Sequence, residues 1–271
     1  MSHARHNFTN WPITAQVVSC LVMAAVLVGV FFEGKSLIRH RHSPVASQAA
    51  FFRSLGANAG GGTKVLVVGD VTTAQLGGGG NYLDNGINGA AYTDWGCGIM
   101  GGATVFGKPT PIPTVCNDWP AQYTSISEAF RPQVVVLMTG NNEQEPHEEN
   151  GSLLKPGEAA YERYIDSRID VARAAAAQKG VRFAVATPPT CSYTSTGFPI
   201  YARVWLGQVY HRYVFAHPGT VFIPIDQTVC PKGRFAKDGA GHDLINANGL
   251  TNAGANQAWA TIAAATHPSQ H

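Results

Sequence analysis

The run Lys64-Val65-Leu66-Val67-Val68-Gly69 most narrows what this chain can fold into. Four branched apolar residues in a row, with no polar alternation, suit a strand buried on both faces, as in a parallel sheet. The glycine then turns the strand into a tight loop headed by Asp70. Strand-like runs recur at Val134–Met138, Val181–Thr187 and Val221–Ile225. Helical spacing fills the intervals. Between Gly157 and Lys179 it places Ala160, Tyr164, Ile165, Ile169, Ala172 and Ala176 on one side, with Gly180 as the stop. A second helix runs from Tyr201 to Ala216, and a third from Thr251 to Thr266, capped by Thr251 or Asn252. Strands alternating with helices predict an α/β fold: a parallel sheet covered by helices on both faces. Ligands on such sheets bind at the carboxyl ends of the strands. Asp70, Gly140-Asn141-Asn142, Pro188-Pro189 and Asp226 all fall there.

The chain before this pattern is of another kind. Trp11–Phe32 is a run of 22 residues without a charged side chain, with aromatics at its ends. Its length matches a membrane-spanning helix and exceeds the apolar core of a cleaved signal peptide. The expected organisation is a tail over 1–10, an anchor over 11–32, a small-residue linker over 33–63 in which Phe51-Phe52 packs on the domain, the folded domain over 64–266, and a tail over 267–271. Orientation draws two opposed signals. Lys35, Arg39 and Arg41 after the span favour a cytoplasmic domain. Four cysteines outside the span, Cys97, Cys116, Cys191 and Cys230, lack metal-ligand spacing and suit two disulfides in an oxidising compartment. The charge bias is small, so the cysteines outweigh it, and the domain is expected outside the cytoplasm, in the cell envelope. Proximity along the chain pairs Cys97 with Cys116 and Cys191 with Cys230. A net charge of +2 and a charged content of 13% leave no basic tract that calls for nucleic acid. Glu145, His147, Glu148 and Glu149 lack paired ligand spacing and read as a solvated acidic loop, not a metal site.

From about Lys64 to Ala265 the chain resembles the SGNH (GDSL-like) hydrolases, and more narrowly the SGNH domains associated with bacterial membrane O-acyltransferases. The motifs that carry the resemblance are Val67-Val68-Gly69-Asp70, Gly96-Cys97-Gly98 followed by Cys116-Asn117-Asp118-Trp119-Pro120, and Thr139-Gly140-Asn141-Asn142-Glu143. Late in the chain come Val229-Cys230-Pro231-Lys232-Gly233-Arg234-Phe235 and Leu250-Thr251-Asn252-Ala253-Gly254. Each is weak alone; their order and spacing together are specific. The resemblance implies a three-layer, flavodoxin-like sheet and acyl-transfer chemistry without cofactor or metal. In that chemistry a serine after Gly-Asp attacks, a glycine and an asparagine donate to the oxyanion, and a late Asp-x-x-His supplies base and orienter.

The chemistry-bearing positions depart from that pattern. Val71 stands where the serine belongs and has no atom that can be acylated. Aligned on the segment after the family's histidine, Asn246 takes the place of the aspartate and Gly249 that of the histidine. Gly69, Asp70, Gly96, Gly98 and Asn142 remain as the frame of a vestigial pocket. This register implies a pseudoenzyme: a binding or accessory protein for an envelope glycan or an acylated ligand, or a partner of a membrane acyltransferase. A second register keeps chemistry alive. Asp238-Gly239-Ala240-Gly241-His242 resembles the family's Asp-Gly-x-His with one residue inserted, and would work with Thr72 as nucleophile in a divergent esterase or O-acyltransferase.

Overall fold

The computed structural model describes residues 44–57, 61–77, 82–94, 97–106, 108–194, 196–246 and 248–267. Among them the strands are β1 (Thr63–Gly69), β2 (Ile87–Thr93), β3 (Ala103–Phe106), β4 (Lys108–Pro111), β5 (Val134–Met138), β6 (His147–Glu149), β7 (Ser152–Leu154), β8 (Arg182–Ala186), β9 (Thr220–Ile223), β10 (Ile245–Asn246) and β11 (Gly249–Leu250). The helices are α1 (Pro44–Ala57), α2 (Val71–Ala74), α3 (Trp119–Phe130), α4 (Ala159–Ala176), α5 (Tyr201–Ala216), α6 (Ile225–Val229) and α7 (Asn252–Thr266).

The central sheet has the order β2-β1-β5-β8-β9, and each neighbouring pair is parallel. Successive side chains of a strand point to opposite faces, so β1 feeds two cores. Leu66 and Val68 join Val135, Leu137, Phe183 and Val185 against Tyr123, Phe130, Ile165, Ile169, Val209 and Tyr210 of α3, α4 and α5. Val65 and Val67 join Val136, Met138, Ala184 and Ile223 against Val229 of α6 and Trp259 and Ile262 of α7. The expected α/β sheet with helices on both faces is therefore present. Helix α7 starts where the sequence places it: the Thr251 hydroxyl accepts from the Gly254 N–H at 3.1 Å, a side-chain N-cap.

The stretch expected as linker carries structure. Pro44–Ala57 is helical, the compact unit begins at Gln48, and Phe52 is buried edge-on to Tyr92 at 5.8 Å and Phe130 at 6.4 Å. Its small residues suggested a spacer; Phe52 packs on the domain as expected, in a socket made by elements far along the chain, while Phe51 stays exposed. The expected span Trp11–Phe32 lies outside the described residues, and no described helix is long and apolar enough to cross a membrane.

Residues 145–149 are not a solvated loop. His147 lies in a small antiparallel sheet of order β4-β3-β6-β7, paired with Thr104, and is fully buried. Its ring stacks with Tyr161 at 6.3 Å and Tyr164 at 5.4 Å, both from α4. Burial lowers its affinity for a proton, against the pull of Glu149. Those tyrosine walls come from a distant helix, so local polarity misled the reading. Both cysteine pairs join as proximity suggested, Cys97–Cys116 and Cys191–Cys230, with Cα separations of 5.1 and 5.2 Å.

Candidate functional site

A cleft of about 350 Å³ opens at the carboxyl ends of β1, β5 and β8. Its floor is the turn after β1. Asp70 is fully buried there and caps α2. One carboxylate oxygen accepts from the Thr72 N–H at 2.8 Å and the Thr72 hydroxyl at 2.7 Å. The other accepts from the N–H groups of Gly140 at 3.1 Å and Asn141 at 2.7 Å. Asp70 thus ties the loop after β1 to the loop after β5. Its oxygens are committed to these donors, which makes it a brace, not a free base. The Gly69 carbonyl accepts from Asp94 N–H at 2.9 Å and continues the tie toward β2.

Val71, half-buried, faces the cleft at the turn. Thr72 also lines it, but its hydroxyl is held by Asp70 and by the Met138 carbonyl at 3.2 Å. The opposite wall comes from the β10–β11 hairpin, with Asn246, Asn248 and Gly249. Gly249 has φ +110°, a backbone state that side chains rarely adopt. A Cβ there would collide with the Gln75 side chain, whose Oε1 accepts from the Leu250 N–H at 3.0 Å. Gln75 therefore fills the space beside the position that the family gives to histidine.

Of the retained oxyanion-type residues, neither Asn142 nor Gly98 lines the cleft. Asn142 is buried and donates to the Cys97 carbonyl at 3.2 Å. Gly98 lies against the Glu143 carboxylate. It is Asn141, one position earlier, that lines the cleft. Gly96 lies outside the described residues. Asp238 and His242 form their own pair: the imidazole Nδ1 sits 2.9 Å from Asp238, and the His242 N–H donates to the same carboxylate at 2.8 Å. These bonds to His242 hold the Asp238 carboxyl below its ordinary range. His242 is largely exposed, and neither residue is among those lining the cleft.

Of the further lining residues, Phe235 ends a motif quoted above and the others belong to none. Gln144, Glu145, Thr190, Arg203 and Phe235 complete the cleft. Arg203 donates from Nε to Gln144 at 3.1 Å and from Nη1 to the Cys191 carbonyl at 3.0 Å. Burial lowers its pKa, and Glu145 opposes that shift. For Gln144, Glu145, Thr190 and Arg203 the only signal in the sequence was position, after a strand end or in the first turn of α5. Behind the cleft, Glu143 is fully buried with one oxygen accepting from Ile99 N–H at 3.2 Å and the other without a partner. Burial, then the nearby Asp70 charge, pushes its pKa up to about 8. Among the described residues, no group of three or more His, Cys, Asp or Glu could hold a metal ion.

In chemical terms the cleft offers five amide side chains, Gln75, Asn141, Gln144, Asn246 and Asn248, and two oppositely charged residues, Glu145 and Arg203. No histidine is among the described residues that line it, and Cys191 is in a disulfide. Amides both donate and accept, so the lining suits a ligand rich in hydroxyl or amide groups better than it suits acyl transfer.

A family described as a protein of unknown function, DUF459, matches residues 114–249, half of the chain. No curated protein matches. Solved structures similar to the chain include a carbohydrate esterase family 2 enzyme with a carbohydrate-binding domain from Corynascus thermopiles (Myceliophthora fergusii). It is 15% identical with a TM-score of 0.46, over 77% of this chain and 66% of that one. A GDSL-like lipase from Bacteroides thetaiotaomicron is 14% identical with a TM-score of 0.42, over 80% and 95%. A lipase/acylhydrolase from Enterococcus faecalis is 13% identical with a TM-score of 0.43, over 74% and 94%. This chain spans just under two thirds of the first of these and nearly all of the other two. Likeness at this level transfers no residue role.

Proposed function

The chain belongs to the DUF459 family of proteins of unknown function, and from that footing we propose that it is a non-catalytic binding domain of SGNH-like architecture. It holds a glycan or an acylated envelope component in the cleft where a serine-bearing relative would transfer an acyl group. The observation that carries this reading is the pairing of Val71 at the nucleophile position with Gln75 packed beside Gly249, across an amide-lined cleft. An unactivated threonine hydroxyl is a weak nucleophile, and activation needs a base within reach. The two disulfides support an oxidising, extracytoplasmic setting. With Trp11–Phe32 as membrane anchor, the domain stands in the cell envelope, where a membrane acyltransferase is its natural partner.

The rival is a divergent esterase or O-acyltransferase that uses Thr72, Asp238 and His242. It requires the exposed Asp238–His242 pair to reach a cleft that it does not line. The test is turnover of short-chain nitrophenyl esters by the purified full chain, together with labelling by a phosphonate that captures activated hydroxyls. The expected result is neither turnover nor labelling. Ester turnover that His242→Ala abolishes in a protein that stays folded would replace this reading with the enzymatic one.

A further inference from the structure

Large apolar side chains left in water mark binding surfaces when they gather beside a site. Phe235, 55% exposed, lines this cleft, and two more stand on the segment fastened to it: Phe198 is 71% exposed and Tyr201, its hydroxyl beside Gly157, 65%. They sit on two segments fastened together. The Cys191–Cys230 bridge joins the segments, Tyr193 N–H donates to the Gly233 carbonyl at 2.9 Å, and Gly197 lies against the Arg234 guanidinium. Within the first segment, Thr194 N–H donates to the Phe198 carbonyl at 2.8 Å and Ile200 N–H to Ser192 at 2.6 Å. The aromatics are therefore held in place, not swung on a loose tip. Phe235 lines the cleft itself, and Tyr201 opens α5 two residues before the cleft-lining Arg203.

We propose that Phe198, Tyr201 and Phe235 form a platform that extends the cleft and takes the continuing chain of a polysaccharide. This deepens the binding reading above and rests on it. A sugar ring presents an apolar face of C–H groups and an equator of hydroxyls. Aromatic faces accept the first, and the amides of the cleft match the second. The cleft's volume, about 350 Å³, is near the lower end for ligand pockets. It grips a short piece of chain, and the aromatics add grip only to a ligand that runs on past it. Lys232 and Arg234, exposed on the same segment, also suit an anionic lipid surface. The inward face of Phe235 favours the polysaccharide, because an interfacial loop would point that ring away from the cleft.

The experiment uses the full chain on an array of neutral, N-acetylated and uronic-acid oligosaccharides, from disaccharides to long chains. Calorimetry follows on the best binder and on its disaccharide. Long chains should bind more tightly than their disaccharides, and the double change Phe198→Ala with Tyr201→Ala should remove about tenfold of that affinity while leaving the disaccharide unaffected. Equal affinity for short and long chains, unchanged by the double variant, overturns the platform and leaves the cleft reading standing. Length-dependent binding that ignores Asn246→Ala supports the platform and overturns the cleft reading. Absence of binding across the whole array overturns both. A parallel arm measures sedimentation with phosphatidylcholine vesicles, with and without phosphatidylglycerol. Vesicle binding lost in the double variant assigns the aromatics to lipid and overturns the polysaccharide platform.

Discussion

Gly249 and Gln75 act as one unit at the residue scale. The glycine's φ of +110° disfavours any side chain there, and the Gln75 amide has to move aside before an imidazole can enter. Gly249→Ala should therefore destabilise the fold by about 1–3 kcal/mol, measured by denaturant titration, because a side chain is forced into a backbone state it disfavours. The pair Val71→Ser with Gly249→His should give no ester turnover even where the protein folds. Only with Gln75→Ala to clear space and Asn246→Asp to orient the ring does a serine–histidine arrangement become geometrically accessible; robust turnover by the two-residue variant alone would sink this account. Glu143 makes a separate prediction. Its pKa in the folded chain, about 8, lies above its ordinary value of 4.5, so the folded state binds the proton more tightly. The stability it contributes is full below about pH 4.5 and is lost as pH rises toward 8. Thermal unfolding should show that decline in the wild type and a flatter profile over the same window in Glu143→Gln. The missing serine was legible from Val71 alone. Gln75 was not, because its role depends on a hairpin 175 positions away along the chain.

At the scale of elements, the disulfides are the parts most open to test. The Cys191–Cys230 bridge closes a separation of 39 residues. Replacing both cysteines by serine should cost about 3–4 kcal/mol in the chain-entropy picture, read as a lower midpoint in urea. Strands β1 and β5 and helices α4, α5 and α7 were legible because their apolar spacing is unbroken. Strand β2 was not: Asn88 and Gly89 interrupt it. The structure explains the glycine, since a Cβ at position 89 would come within 2.6 Å of the Trp259 indole, so α7 demands an absent side chain. Helix α3 carries readable spacing in Trp119, Tyr123, Ile126 and Phe130, all buried. Pro120 hides it by resembling a breaker, although proline is tolerated in a first turn. The sheet β4-β3-β6-β7 is built from strands of three or four residues, too short for alternation to show.

For the whole molecule, the anchor and the compartment make one joint prediction. A reporter fused after His271 that works only in the cytoplasm should stay silent; a strong signal would mean that Lys35, Arg39 and Arg41 set the orientation instead. Non-reducing peptide mapping of the mature protein should recover Cys97 with Cys116 and Cys191 with Cys230. Both bridges brace the ligand side of the sheet: Cys191 lines the cleft, and the Cys97 carbonyl receives Asn142. Most of the sheet's core is aliphatic and aromatic, with Cys191 and Cys230 packed at its margin. On the binding reading proposed above, reducing both bridges should weaken ligand capture, because it frees the segments that carry Cys191 at the cleft and Cys97 behind Asn142.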